Sequence, residues 1–227
     1  LHFVLQHSSD MNIEQARFNM IEQQIRPWEV LDQAVLSLLA VVRREDFVPP
    51  AYRSLAFIDT EVPLPEGQSM LAPRVEARLL QELRLARHER VLEVGAGSGY
   101  MAALLAHQAQ RVTTLDNRPL LADMARGNLQ RAGIGNAEVQ QADGASGWRS
   151  QAPFDAIVLS GSVAEVPAVL LSQLKTGGRL IAIEGQEPMM RAVLVTRVAE
   201  QQFKRVELFD TVAPRLDGFR EPSRFQF

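Results

Sequence analysis

The run Val91-Leu92-Glu93-Val94-Gly95-Ala96-Gly97-Ser98-Gly99-Tyr100 has the residue types that let a backbone close around a small polar ligand. Its apolar start, with two valines, reads as a buried strand, and the glycines behind it demand a tight turn. Residues 101–106 follow with the composition of a helix packed on a sheet. Strand, glycine turn and helix bring N–H groups up to a nucleotide-like ligand with no Cβ atoms in the way. The spacing is G-x-G-x-G, not the G-x-G-x-x-G of a dinucleotide site. Glu93 lies two residues before the first glycine, where a carboxylate would repel a pyrophosphate but suit a cationic sulfonium or ammonium.

Further candidates follow in the same register. Asp116, 17 residues beyond Gly99, closes a second predicted strand, with Asn117 after it. An acid there accepts hydrogen bonds from ribose hydroxyls, although Asp116-Asn117-Arg118-Pro119 also has the form of a helix cap. Asp143-Gly144 closes a third strand and is placed either to hold an adenine amino group or simply to turn the chain. Ser160-Gly161-Ser162 follows a fourth strand, where an acceptor would meet a cofactor. The four histidines form no ligand spacing, so no metal site is expected. No G-x-S-x-G elbow is present, since Ala96 stands two residues before Ser98.

The elements that must position these residues are readable from periodicity. Phe18, Ile21 and Ile25 recur at helical spacing, Pro27 interrupts, and Val30, Val35, Leu38 and Leu39 resume, predicting helix over much of residues 11–39. Residues 51–73 are proline-punctuated and irregular, yet apolar enough to pack, which suggests a functional loop. Pro73 suits a helix start, with Val75, Leu79, Leu80 and Leu83 as its apolar stripe. Strands are then predicted at residues 111–115, 137–141, 154–160 and 179–184. Helices are predicted at 119–133 and 166–174. Alternating strands and helices imply a mostly parallel sheet with helices on both faces. Residues 191–198 and 203–212 read as an antiparallel pair at the sheet edge, and 217–227 as a loosely held tail.

Composition bounds the function classes. The chain has 227 residues, 46% of them hydrophobic, enough for one core with extensions: one domain over 11–227, with 1–10 read as an upstream remnant. Within it, 11–73 form a helical and substrate-loop region, 74–187 the cofactor core, and 188–227 the strand pair and tail. The net charge of −3 gives no basic excess to track a phosphate backbone, so a nucleic-acid partner is disfavoured. Cysteine is absent, which excludes disulfides and thiolate chemistry and fits a cytoplasmic setting. No apolar stretch reaches the roughly 20 residues a membrane helix needs, so no membrane association is expected.

The glycine stretch resembles motif I of the class I S-adenosylmethionine-dependent methyltransferases. The chain more widely resembles the protein-L-isoaspartate O-methyltransferase family over most of residues 17–213. The matching stretches are Met20-Ile21-Glu22-Gln23-Gln24-Ile25-Arg26-Pro27, Arg44-Glu45-Asp46-Phe47-Val48-Pro49, the loop from Phe57 to Ser69, Val91 to Tyr100, Asp143-Gly144 with Gly147-Trp148, and Leu174-Lys175-Thr176-Gly177-Gly178. The resemblance implies a Rossmann-like fold. It also implies S-adenosylmethionine as cofactor, leaving as S-adenosylhomocysteine, and methylation of isoaspartyl carboxylates in damaged proteins by a monomer or weak dimer. Glu93, Gly95, Ala96, Gly97, Ser98, Asp116, Asn117, Asp143 and Gly144 fall on its cofactor side. Asp59, Ser69, Leu71 and Ser160 fall on its acceptor side. The family's loop usually reads Gly-Gln-Thr-Ile-Ser; here it is Gly67-Gln68-Ser69-Met70-Leu71, with leucine in place of the second hydroxyl and Pro65 where glycine is usual. Leucine donates no hydrogen bond, which leaves open another acceptor or a binding protein without catalysis. A nicotinamide oxidoreductase is disfavoured by Glu93 and the glycine spacing.

Overall fold

In the computed structural model, which describes residues 12–221, the parallel strands run from one edge of a seven-stranded sheet inward. Its strands are β3 (Arg90–Val94), β4 (Arg111–Asp116), β5 (Ala137–Gln141), β6 (Phe154–Val163), β7 (Leu174–Gln186), β8 (Met189–Ala199) and β9 (Gln202–Asp210), in the order β5-β4-β3-β6-β7-β8-β9. From β5 to β7 neighbours are parallel; β8 and β9 are antiparallel additions at the edge.

Alternation along each central strand divides the core between the two faces. Val91, Val112, Ala156 and Val158 join one buried cluster, shared with helices α3 (Pro73–Leu83), α4 (Tyr100–Gln108) and α5 (Pro119–Arg131). Leu92, Leu115, Ile157 and Leu159 join the other, closed by the short helix α6 (Ala168–Leu171). Both faces are covered, and β6 and β7 accordingly carry continuous apolar runs at residues 156–159 and 180–183, as parallel strands often do.

Ahead of the sheet, helix α1 (residues 12–20) runs into a π-helical turn, Ile21–Ile25, and a 3-10 turn, Arg26–Trp28. Helix α2 (Gln33–Val41) starts at Asp32, whose carboxylate accepts from the Ala34 N–H at 2.8 Å. The irregular loop contains a two-residue antiparallel pair, β1 (Val62–Pro63) with β2 (Ser69–Met70). Among the described residues no helix is long and apolar enough to cross a membrane.

Three expectations need correction. The helix expected over 166–174 is only the four-residue α6, and Leu174 already begins β7, which takes in Gly177 and Gly178. Strand β6 continues past Ser160 to Val163 through a register shift between Val158 and Ser162. The segment read as a loose tail packs instead: Phe219 is buried and Asp217 pairs with Arg118. Residues 1–11 and 222–227 lie outside the described residues, including the expected remnant and the end of the tail.

Candidate functional site

A cleft opens at the carboxyl ends of β3, β4 and β6, where the strand order reverses direction and α/β sheets form ligand crevices. With its open mouth it holds about 690 Å³.

The floor is the glycine turn. Leu115 O accepts from Gly95 N at 2.8 Å and from Ala96 N at 3.0 Å, which pins the turn to the end of β4. Gly95 and Gly97 have φ of 92° and 51°, a region that disfavours side chains. A Cβ at Gly97 would stand 3.2 Å from Leu64 Cδ1, across the cleft wall. Bare backbone in this position is a cradle for a ligand, and Ser98 and Asn117 line it too.

Asp116, the last residue of β4, faces the cleft and is held by two backbone donors. Its Oδ2 accepts from Gly97 N at 2.9 Å and its Oδ1 from Arg118 N at 3.0 Å, so the carboxylate braces the turn and caps the next loop. It also lines the cleft and retains acceptor capacity for a ligand. Burial raises its pKa above the ordinary aspartate value, and the two N–H donors oppose that shift.

Glu93 is fully buried in the floor. Its Oε1 accepts from Ser160 Oγ at 2.6 Å and its Oε2 from Thr114 Oγ1 at 2.7 Å. Burial pushes its pKa up to about 8, with the two hydroxyl donors pulling the other way. Ser160, expected on the acceptor side, lines the cleft while its hydroxyl orients Glu93. The irregular stretch of β6 that displaces it from the ladder explains this position.

Gly144 lines the cleft, where a Cβ would meet Val94 Cγ1 at 2.2 Å. Asp143 lies just outside the lining. Its Oδ1 accepts from Ala145 N at 3.0 Å, and the Gly218 backbone lies against the carboxylate.

The opposite wall is the β1–β2 hairpin with the start of α3. Ser69 and Leu71 both line the cleft, and Leu71 is buried. The Leu71 carbonyl accepts from Arg44 Nη2 at 2.9 Å, and Arg44 also forms a buried ion pair with Glu76 and packs on the Tyr100 ring. Glu76 reaches the cleft, and burial pushes its pKa up to about 7 against the pull of Arg44. Sequence reasoning missed Arg44 and Glu76. A signal existed for Glu76, because it stands one turn before Leu80 and two before Leu83, a charge on the apolar stripe of α3. Asp59 is not brought to the cleft: it pairs with Arg74 at 2.8 Å, and Arg74 stacks on Trp28. Also missed were Arg118, Leu216 and Asp217, which complete the rim.

A bare glycine cradle, an acid at the end of the neighbouring strand and a second acid beneath the turn fit a nucleoside carrying a cationic tail. Known proteins resemble the chain accordingly. The family model for protein-L-isoaspartate(D-aspartate) O-methyltransferase matches residues 15–211. The protein-L-isoaspartate O-methyltransferase of Rhodopseudomonas palustris is 40% identical over 207 residues, 89% of this chain and 95% of that one. That of Methanoculleus marisnigri is 42% identical over 169 residues, 74% and 77% of the two chains. A crystal structure described as a β-aspartate methyltransferase from Plasmodium falciparum, in complex with S-adenosyl-L-homocysteine, superposes with a TM-score of 0.76 at 22% identity. It covers 88% of this chain and 97% of that one.

Proposed function

The chain belongs to the protein-L-isoaspartate O-methyltransferase family, and from that premise we propose that it methylates the free carboxylate of L-isoaspartyl residues in damaged proteins, using S-adenosylmethionine. The observation that carries this reading is the family match over residues 15–211, coinciding with a glycine cradle flanked by Glu93 and Asp116.

When bound, the cofactor supplies an electrophilic methyl group on a sulfonium. The residues on its side of the cleft would divide the binding work. Asp116 would accept from ribose hydroxyls and Gly144, with Asp143 behind it, would border the base. Gly95, Ala96, Gly97, Ser98 and Asn117 would supply close backbone and polar contacts. Glu93 would offset positive charge at the sulfonium end.

The acceptor makes modest demands. A carboxylate is already ionised at neutral pH, so the chain needs no general base to create the nucleophile. Its work is to place that carboxylate, exclude water and tolerate its charge. Ser69 would contribute a hydroxyl on that side, Leu71 an apolar surface held in place through its carbonyl by Arg44, and Ser160 the orientation of Glu93. We assign Asp59 a bracing role through Arg74, away from the acceptor. The proposed setting is the cytoplasm, which a chain without cysteine fits.

The test is transfer of labelled methyl from S-adenosylmethionine to a short isoaspartyl peptide, with the aspartyl peptide as control. Label only on the isoaspartyl form is the expected result. A folded protein that binds the cofactor and labels neither peptide would overturn the acceptor assignment.

A further inference from the structure

We propose that Arg118 is a positioning residue: it latches a C-terminal strap and the acceptor-side hairpin together over the cleft, so that cofactor enters and leaves only when this latch opens. The proposal rests on the reading that the cleft holds S-adenosylmethionine.

The strap is residues 213–219. It joins the end of β6 through three hydrogen bonds: Ser162 N to Pro214 O at 2.7 Å, Leu216 N to Ser162 O at 2.9 Å, and Ser162 Oγ to Ala213 O at 2.8 Å. From there it crosses the glycine turn. Leu216 Cδ2 lies 2.8 Å from where a Cβ would stand on Gly95, and equally on Gly161, so a side chain at either position would push the leucine aside. Leu216 and Asp217 form part of the cleft wall, and Phe219 is buried beyond them.

One guanidinium links this strap to the other wall. Arg118 follows the strand-end Asp116; its Nε donates to Asp217 Oδ2 at 3.0 Å and its Nη1 donates to Glu66 Oε2 at 3.0 Å. Glu66 sits in the turn of the β1–β2 hairpin, three residues before Ser69, with φ of 58°. The cofactor wall, the acceptor loop and the strap therefore meet at a single side chain.

The contact has the properties of a latch. Leu216 of the strap and Leu64 of the hairpin already fill the space over the glycine turn, 2.8 and 3.2 Å from where Cβ atoms on Gly95 and Gly97 would stand. A nucleoside-sized ligand must displace a wall. The walls from β3, β4 and β6 are fixed in the buried sheet, while the strap and hairpin are the attached pieces. The Arg118 pairs are also partly exposed, and such ion pairs are weak and salt-screened, so they can open repeatedly.

The test compares wild type with Arg118→Met, which keeps the stem and removes the charge. Backbone hydrogen exchange in the ligand-free protein should accelerate at residues 213–219 and 64–69 and stay unchanged in β3 and β4. Asp217→Asn should accelerate only the strap, and Glu66→Gln only the hairpin. Release of S-adenosylhomocysteine should be about five-fold or more faster in Arg118→Met. Wild-type release should quicken between about 0.05 and about 0.5 M NaCl while the variant stays flat. Unchanged exchange in both segments, or release equally salt-dependent in the variant, would overturn the proposal. Wild type that fails to bind S-adenosylhomocysteine would instead refute the cofactor reading, and the exchange comparison would still decide whether the latch exists.

Discussion

Both oxygens of Glu93 are occupied by hydroxyl donors, and burial holds its pKa near 8, so the ligand-free floor is largely neutral at pH 7. A cation bound above it favours the ionised form. Affinity for S-adenosylmethionine should therefore rise with pH from about 6 and level off above about 8. Glu93→Gln should flatten that profile and weaken binding at the alkaline end, as titration calorimetry across the range would show. Ser160→Ala removes a donor that stabilises the carboxylate, and should move the rise to higher pH. A wild-type affinity independent of pH would mean that Glu93 does not sense the ligand's charge. Leu71→Ser deletes a buried side chain and should cost roughly 2–4 kcal/mol of stability in denaturant titration. It also places a hydroxyl on the proposed acceptor side of the cleft, and should raise kcat/KM on isoaspartyl peptide. A folded variant without that gain would remove the hydroxyl argument.

Among the elements, the join between β3 and α4 is set by a glycine for reasons of both backbone conformation and packing. Gly99 has φ of 84°, and a Cβ there would lie 3.1 Å from Ala125 O on α5. Gly99→Ala should therefore cost roughly 1–3 kcal/mol by strain and by separating α4 from α5, seen as a lower urea midpoint at unchanged slope. This turn was legible in the sequence because strand, glycines and helix follow one another locally, and so was Asp116, placed by a strand with clear boundaries. The antiparallel pair was legible from two apolar runs a few residues apart. The start of β7 was hidden, because Val166 to Leu174 suits a helix as well as a strand approach, and Gly177-Gly178 imitates a preceding turn. Irregularity in β6 leaves no sequence trace either, though it aims Ser160 at Glu93. The strap was the largest omission. Residues 213–219 have no periodicity, and their partners lie at Ser162, Gly95 and Arg118, far away in the chain. Only the closed sheet brings these together.

Across the whole molecule, buried acids set how stability varies with pH. Glu76 and Glu93 have pKa values pushed up to about 7 and about 8, from 4.5, chiefly by burial. Between those limits the folded chain binds more protons than the unfolded one, so their contribution is full below about 4.5 and is lost as pH rises through 7 and 8. Asp116 is raised as well and acts in the same sense. Asp155 and Glu89 are lowered despite their burial, by hydrogen bonds from Lys175 and Arg179, and their stabilisation disappears only in more acid solution. These opposing slopes place the stability maximum of the ligand-free protein near pH 5, on the acid side of the usual range of roughly 5–8. Melting temperatures from pH 4 to 9 should fall above that maximum, and the double variant Glu76→Gln, Glu93→Gln should lose most of the fall. Bound S-adenosylmethionine draws Glu93 towards its ionised form, so the stabilisation it adds should be smallest near pH 5 and largest near pH 8. A melting temperature flat from pH 5 to 8 would show that both carboxylates are ionised in the folded protein. In that case the charge for the cofactor stands ready beneath the glycine turn before any ligand arrives.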